Sequence, residues 1–420
     1  MIRRSHNPQA AYVAVTAAYW AFMLTDGALR MLVLLHFHTL GFSPVTLAYM
    51  FLLYELMGMI TNLSAGWIAA RFGLSVTLFA GLGLQIAALL LLMQLDPGWM
   101  LAMSVVYVMA VQGLSGIAKD LTKMSAKSAV KTLAPAADGA LFRWVAVLTG
   151  SKNAVKGLGF LLGTVLLGTL GFVPAIAALA ISLIVVLALV AMTMPKGLPV
   201  GRKSAKFTEV FSKDRNINLL SLARLFLFGA RDTWFVVGVP VFFYSVLSDG
   251  SATADRAAFF QIGAFMAVWI IGYGIIQASA PKLLRASDKP LSGVVSSARF
   301  WVGLLTLIPV FLSVGTYFLA DAPILILAGF LSVGLLIFGA VFALNSALHS
   351  YLILAFSRSE RVTLDVGFYY MSNAGGRLLG TLLSGLSYQI GGLTLCLATA
   401  AVLSALSWGV ATRLDRVHEE

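Results

Sequence analysis

The sequence has a single cysteine, Cys396, among its 420 residues. One thiol excludes a disulfide framework and any metal site built from several thiolates. Charged residues are also scarce, at 11% of the chain, whereas 60% of the residues are hydrophobic. Because a soluble domain is about one quarter charged, this composition excludes a soluble protein. The formal net charge of +12 does not point to nucleic acid, since the basic residues concentrate in short segments between long apolar runs.

Long apolar runs make up most of the chain. Each is near the length that crosses the hydrocarbon core of a bilayer, which predicts an all-α membrane protein with twelve transmembrane helices. The first run is too long for a cleaved signal peptide, so we expect it to be retained. The predicted spans are 10–39, 44–69, 75–95, 99–119, 141–168, 173–194, 217–247, 257–280, 296–319, 323–356, 362–388 and 392–412.

The connections between the spans alternate in charge. By the positive-inside rule, the basic connections and both termini lie in the cytoplasm, as expected for a multi-pass protein of a bacterial inner membrane. The basic connections are 71–74, 120–138, 282–295 and 357–361, and the other turns carry Asp96, Asp249, Asp255 and Asp321. A stack of lysines at 119, 123, 127 and 131 has two possible roles, which are contact with anionic lipid and attraction of an anionic substrate.

The longest polar connection, residues 195–216, divides the chain into two parts. We interpret 1–194 and 217–420 as N-terminal and C-terminal six-helix bundles, joined by a cytoplasmic linker. Two six-helix repeats connected in this way are the plan of the major facilitator fold.

The two parts align as repeats. An offset of 206 places Asp26 of the first span on Asp232 of the seventh. A second pair of matching segments contains Asn153 and Asn373, each followed by a cation and by closely spaced glycines. We therefore expect a pseudo-two-fold relation between the halves.

Charged residues lie in the middle of spans one, two, five, seven and eleven, and spans three, six, nine and twelve have none in their interiors. A charge at the bilayer centre costs about 2.5–3.5 kcal/mol, so such residues mark a transport pathway. Every third helix is expected to face lipid, including the span that holds Cys396, and the others to line a central cavity. The charged residues are Asp26, Arg30, Glu55, Lys152, Lys156, Arg231, Asp232 and Arg377.

Cations outnumber carboxylates in this set, which predicts a small organic polyanion as the substrate. Guanidinium groups bind phosphate or carboxylate oxygens in bidentate fashion, and lysines act as point charges. The predicted binding residues are Arg30, Lys152, Lys156, Arg231 and Arg377, together with Asn153 and Asn373 of the matching segments.

The alternative is that nearby carboxylates neutralise the cations, so that the charges are architectural. Even then, Glu55 is the only remaining carboxylate that could neutralise Lys152 and Lys156. The expected pairs are Arg30 with Asp26, Arg231 with Asp232, and Arg377 with Asp365.

A buried carboxyl group can also bind and release a proton, which would couple transport to a proton gradient. We take Glu55 as the first candidate for this role, because the sequence places no cation near it. A structural carboxyl group held in its protonated form is the alternative reading.

The stretch 66–73, GWIAARFG, resembles the cytoplasmic motif between spans two and three of the major facilitator superfamily. Gly66, Arg71 and Gly73 are in place, and we assign them a conformational role. Position 70 is Ala where the family usually has Asp, so the usual charged latch lacks its carboxylate.

A narrower resemblance covers most of the chain. The stretches 19–41, 124–135, 141–157 and 227–242 are similar to those of ArsJ-type organoarsenical efflux permeases. The resemblance implies export of 1-arseno-3-phosphoglycerate, which forms when glyceraldehyde-3-phosphate dehydrogenase accepts arsenate, and hence a functional link to that enzyme. This cargo carries a phosphate and an arsenate ester, which suits a cationic cavity in a chain with one thiol.

Other functions stay open at this point. A facilitator for a sugar phosphate, another organic anion or a drug fits the same pattern. A membrane enzyme acting on lipid is disfavoured, because the sequence offers neither a nucleophile with an evident base nor a Cys/His metal cluster. We expect a monomeric, non-enzymatic protein without a cofactor.

Overall fold

The computed structural model describes residues 8–133, 140–193, 212–285, 288–358 and 362–414. The long secondary-structure elements in these ranges are all α-helices, which confirms the predicted all-α fold class. They are α1 (Pro8–Thr39), α2 (Pro44–Leu92), α3 (Leu101–Leu133), α4 (Ala140–Leu170), α5 (Phe172–Thr193), α6 (Arg215–Phe235), α7 (Gly238–Leu247), α8 (Ala252–Leu284), α9 (Leu291–Phe318), α10 (Ile324–Phe356) and α11 (Val362–Ala411).

Eleven stretches of the described residues are long and apolar enough to cross a bilayer. The last, Leu364–Ala411, has 48 residues, about twice the length that one crossing needs. The helix reverses within it at Gly391 and Gly392, and Gly392 has a φ of 60° that glycine adopts without steric strain. The described residues therefore make the twelve crossings that the sequence predicts.

The helix α2 contains a similar reversal between predicted spans two and three. Gly73 has φ 75° and ψ 177°, so the chain turns at the last residue of the facilitator-like motif. Gly66 lies in the helix before this turn. The Arg71 guanidinium lies over the Trp67 ring, 5.5 Å from its centroid. The motif thus sits at the bend between two crossings.

The seventh span is broken in its middle, because α6 ends at Phe235 and α7 begins at Gly238. The Ser384 hydroxyl accepts hydrogen bonds from the backbone N–H groups of Val237 and Gly238, each at 3.1 Å. A helix break inside a bilayer requires such partners, since no water is there to bond the freed groups.

One predicted boundary is wrong. The fourth span was expected to end at residue 119, but α3 continues through Leu133. Residues 120–133 contain neither Gly nor Pro, so nothing in them breaks the helix. Asp120 is fully buried and Lys119 is 7% exposed, which places both inside the bundle. The side chains of Lys127 and Lys131 lie outside the described residues.

Equivalent helices pack together in the two halves. Spans one and five (α1 and α4) are in contact, as are spans seven and eleven (α6 and α11), and the halves meet through α4 with α8 and α2 with α11. A Cβ atom at Gly159 would overlap the Leu24 carbonyl oxygen, and one at Gly380 would overlap that of Gly229. Such glycines let the helix backbones approach closely, as their spacing predicts.

Large apolar side chains are exposed along α5 and α9, which are spans six and nine. Cys396 lies on the twelfth span, which is expected to face lipid, but its side chain is fully buried and its Sγ lies 3.5 Å from the Ser384 carbonyl oxygen. An outer helix still turns one face towards its neighbours.

Most of the predicted linker 195–216 lies outside the described residues, so the division of the chain into two bundles at this linker stays a prediction.

Candidate anion-binding site

A group of buried ion pairs lies between the two halves. In the N-terminal half, the Asp26 carboxylate accepts hydrogen bonds from Lys156 Nζ at 3.0 Å and from the Tyr54 hydroxyl at 2.5 Å. Asp26 is 3% exposed. The expected pair of Arg30 with Asp26 is therefore wrong, although the two residues are one helical turn apart.

Arg30 instead binds Glu55, through Nη1 and Nη2 at 3.3 Å each. The same Glu55 oxygen accepts a shorter bond from Arg377 Nη2 at 2.6 Å. Glu55 thus lies between two guanidinium groups, one from each half. The interpretation of Glu55 as a carboxylate without a neighbouring cation is wrong, because both arginines reach it from other helices.

In the C-terminal half, Arg231 donates from Nε to Asp232 at 2.6 Å, which confirms that expected pair. Arg377 Nε also lies 3.4 Å from the second oxygen of Asp232. Arg377 therefore forms its ion pairs with Glu55 and Asp232, and the expected pairing with Asp365 is not the one found. Asp365 is buried near the start of α11.

This network leaves hydrogen-bonding capacity unused. Among the described residues, Glu55 Oε2, Asp232 Oδ2 and Arg377 Nε have no hydrogen-bond partner, although all three atoms are buried. Unbonded polar atoms in a low-dielectric interior are costly. They are also the atoms that a proton, a water molecule or an anionic ligand would engage.

Basic groups exceed acidic groups in the buried or half-buried part of the spans. The described ranges contain nine such cations and six carboxylates. An uncompensated charge away from water is expensive unless a ligand neutralises it. The cations are Arg30, Lys119, Lys123, Lys152, Lys156, Arg224, Arg231, Arg299 and Arg377, and the carboxylates are Asp26, Glu55, Asp120, Asp232, Asp255 and Asp365.

The site residues selected from the sequence do not include Lys119, Asp120, Lys123 or Arg224. Lys119 lies with its Nζ 4.1 Å from the centre of the Tyr54 ring. Asp120 accepts hydrogen bonds from Thr61 at 2.7 Å and Lys123 at 3.2 Å. Asp120 was missed because the predicted span ends at residue 119, and Lys119 and Lys123 were assigned to the lysine stack instead.

Of these four residues, Arg224 lies in the C-terminal half. It is 4% exposed and lies two helical turns before Arg231 on α6. Its Nε donates to Asn373 Oδ1 at 3.1 Å, and its Nη1 donates to the backbone oxygen and hydroxyl of Ser346. The predicted seventh span contains Arg224, and its spacing of seven residues from Arg231 places the two arginines on one helix face, which is a signal that the sequence carries.

The two repeat asparagines lie in one chain of hydrogen bonds. Asn153 donates to Gln277 at 3.4 Å, and Gln277 donates to Ser346 at 3.4 Å. Ser346 also binds Arg224, which in turn binds Asn373. The chain crosses from the N-terminal half to the C-terminal half. Lys152, next to Asn153, is half-buried on α4, one turn from Lys156.

No family model matches the chain, and no curated protein matches its sequence. Solved structures do match it. One is a POT family transporter in complex with 5-aminolevulinic acid, 13% identical with a TM-score of 0.72, covering 100% of this chain and 98% of that one. Another is a POT family transporter in complex with a thioalcohol-conjugated peptide, 12% identical with a TM-score of 0.70, covering 98% and 97%.

At this level of identity, the likeness shows the fold. The chain has the helix arrangement of these two transporters, with twelve crossings as the sequence predicts. Neither match bears on an arsenical substrate.

Proposed function

We propose that this protein is a secondary transporter that moves a small organic anion across a membrane. The observation that carries the proposal is the excess of cations between the two halves, with hydrogen-bonding capacity left over in the same network. A purely architectural network would neutralise its charges, since each uncompensated one destabilises the folded protein. The transporter fold of the structural neighbours supports the same function.

In this proposal Arg30, Arg231 and Arg377 hold the anion, with Lys152 and Lys156 as additional charges and Asn153 and Asn373 as supports. Glu55 competes with the substrate for Arg30 and Arg377. Protonation of Glu55 releases both guanidinium groups, which links anion binding to proton binding. Asp26 and Asp232 keep the remaining cations in place, and the bend at residues 66–73 lets the halves move.

The substrate that we propose is 1-arseno-3-phosphoglycerate, exported from a bacterial cytoplasm and conferring arsenate resistance. The similarity to organoarsenical efflux permeases supports it, as does the suitability of clustered guanidinium groups for phosphate and arsenate oxygens. An ordinary sugar phosphate or another organic anion has the same charge pattern and is the competing substrate.

Transport is tested with inverted membrane vesicles and radiolabelled 3-phosphoglycerate, a stable analogue of the arsenical ester. We expect accumulation that depends on the protein, is abolished in Arg377→Gln and persists in Arg299→Gln. Arg299 is a suitable control, because it binds the backbone oxygen of Ala411 at 3.1 Å, far along the chain from the network. Absence of accumulation of any organic anion would contradict the proposal.

The arsenical is tested in arsenate-sensitive cells with and without high levels of glyceraldehyde-3-phosphate dehydrogenase. We expect protection against arsenate only when the dehydrogenase is present, and no protection against arsenite. Arsenite resistance, or arsenate resistance that is independent of the dehydrogenase, would overturn the substrate and leave anion transport standing.

A further inference from the structure

We infer that the C-terminal half contains a second oxyanion subsite, formed by Arg224 with Asn345 and His349, so that the substrate carries two anionic groups. The inference rests on the proposed function, because it names the class of substrate that the same site takes.

The first step concerns the charge of Arg224. Its described contacts are with neutral groups, namely Asn373, Ser346 and the rings of Phe228 and Tyr369 at 4.2 and 5.0 Å. No carboxylate of the described residues lies within ion-pair distance of it. A buried guanidinium without a counter-ion is costly, and an anionic ligand is the usual compensation.

The second step concerns the orientation of the side chain. Nε and Nη1 are fixed by Asn373 and Ser346, whereas Nη2 makes no hydrogen bond to the described residues. A guanidinium held on one side presents its free N–H groups in a fixed direction. This is the arrangement that bidentate or charge-assisted recognition of an oxyanion requires.

The third step concerns unbonded polar side chains on α10, the helix whose Ser346 binds Arg224. Asn345 and His349 are fully buried, and neither the amide atoms of Asn345 nor the ring nitrogens of His349 have a partner among the described residues. Asn345 and His349 lie about one turn apart on α10, with Ser346 between them in the chain. Native proteins rarely leave so many buried donors and acceptors without a ligand or water.

The last step is the distance to the central network. The guanidinium carbons of Arg224 and Arg231 lie 4.2 and 4.8 Å from the centroid of the same Phe228 ring. They are therefore no further apart than the sum of these distances. A small bis-anion, such as a phospho-acid, spans a separation of this size, with one end at Arg231 and Arg377 and the other at Arg224.

The test measures binding to the detergent-solubilised protein by isothermal titration calorimetry with two probes. 3-Phosphoglycerate has two anionic ends, and glycerol 3-phosphate has one. We expect the parental protein to prefer 3-phosphoglycerate by about tenfold or more, which is the usual contribution of one charge-assisted hydrogen-bonding group. Arg224→Gln should lose this preference and bind both probes with similar affinity, while the control Arg299→Gln keeps it.

An equal loss of affinity for both probes in Arg224→Gln, or an unchanged preference, would overturn the inference, as would failure of the parental protein to bind either probe. If Arg224→Gln does not fold, Arg224→Lys and Asn345→Ala take its place, and each should reduce the preference about three- to tenfold. Vesicle transport is measured separately. Binding that shows the Arg224-dependent preference without transport contradicts the proposed function, and transport without the preference contradicts this inference alone.

Discussion

The two halves of the molecule carry the same ion pair at equivalent places but surround it differently. In the N-terminal half, Asp26 of span one binds Lys156 of span five. In the C-terminal half, Asp232 of span seven contacts Arg377 of span eleven. The repeat has therefore kept the pair of helices and the signs of the charges, although the cation is a lysine on one side and an arginine on the other.

The surroundings differ through a third carboxylate, which only one half supplies. Glu55 of span two binds Arg377 across the interface, whereas the repeat offset places Gln261 at the matching position, exposed on α8. The halves are thus connected by an ion pair that has no symmetric counterpart among the described residues. The asymmetry between the halves, and not the repeat, therefore creates the contact between Glu55 and Arg377 for which the proposed substrate would compete.

The types of cation differ too. Within the described spans, the buried or half-buried cations of the C-terminal half are arginines, at 224, 231, 299 and 377, whereas the N-terminal half has lysines at 119, 123, 152 and 156 and one arginine, Arg30. Guanidinium groups hold oxyanions in a fixed geometry, and lysines contribute flexible point charges. We expect the C-terminal half to determine which anion binds, and the N-terminal half to determine how strongly it is attracted.

The largest effect is expected for Arg377→Gln, which removes the contact between the halves. The change leaves the buried carboxylates of Glu55 and Asp232 without the cation of span eleven, and loss of one partner from a buried pair costs about 3–5 kcal/mol. Anion exchange in proteoliposomes should fall by about two orders of magnitude or more. A loss of the same size in the control Arg299→Gln would show that any missing buried arginine has this effect.

Exchanging the cation types sharpens the comparison. Arg377→Lys should reduce anion exchange about tenfold, because an ammonium group cannot hold Glu55 and Asp232 in a fixed geometry. Lys156→Arg should stay within about threefold of the parental rate, since a point charge beside Asp26 is all that is needed there. Exchange rates per reconstituted protein check both, and equal sensitivity at the two positions would contradict a division of roles between the halves.

Glu55→Gln removes the asymmetric carboxylate and is expected to act in the opposite direction. Freed arginines should bind the anion about three- to tenfold more tightly. In the parental protein, anion affinity should rise as the pH falls, because protonation of Glu55 releases Arg30 and Arg377. The variant should lose this pH dependence, and gradient-driven uptake should fall while exchange continues.

Anion affinity and uptake of Glu55→Gln are measured at several pH values. The matched control is Asp26→Asn, which removes a carboxylate that forms its ion pair within its own half. Unchanged dependence on the proton gradient in Glu55→Gln would remove Glu55 from the coupling mechanism.

The smallest effect is expected for Cys396→Ser. The thiol is buried against the Ser384 carbonyl oxygen, and a hydroxyl group can donate to the same oxygen at similar volume. Transport and arsenate protection should stay within about twofold of the parental values, and the melting temperature should change by a few degrees at most. Loss of arsenical transport in this variant would indicate a thiol-dependent cargo.

The helices could be predicted because a lipid-crossing run of about twenty apolar residues can be recognised directly from the sequence. The ion pairs could not, since they depend on which side chains of different helices meet at one depth. Arg30 and Asp26 share a helix face, yet Glu55 and Lys156 reach them from elsewhere. Of the three expected pairs, the structure contains Arg231–Asp232, whose members are adjacent in the chain.

Charges near the predicted ends of spans were the least predictable part of the site. A span is predicted to end where charged residues follow an apolar run. The rule that finds the helix therefore assigns Asp120 to a connection, although this residue is buried. Its burial depends on Thr61 and Lys123, which supply hydrogen bonds that sequence spacing does not reveal. Asn373, in contrast, was predicted from the repeat. In the structure its Oδ1 accepts a hydrogen bond from Arg224.

The excess of basic over acidic groups in the spans has an electrical consequence. Moving one elementary charge through a membrane potential of 100 mV changes the free energy by about 2.3 kcal/mol. Without an anion, the central cations carry a net positive charge with them whenever the halves rearrange, and a bound dianion cancels most of it. In the proposed transport cycle, we therefore expect voltage to act mainly on the return of the empty carrier, so that a resting potential sets the rate of that step.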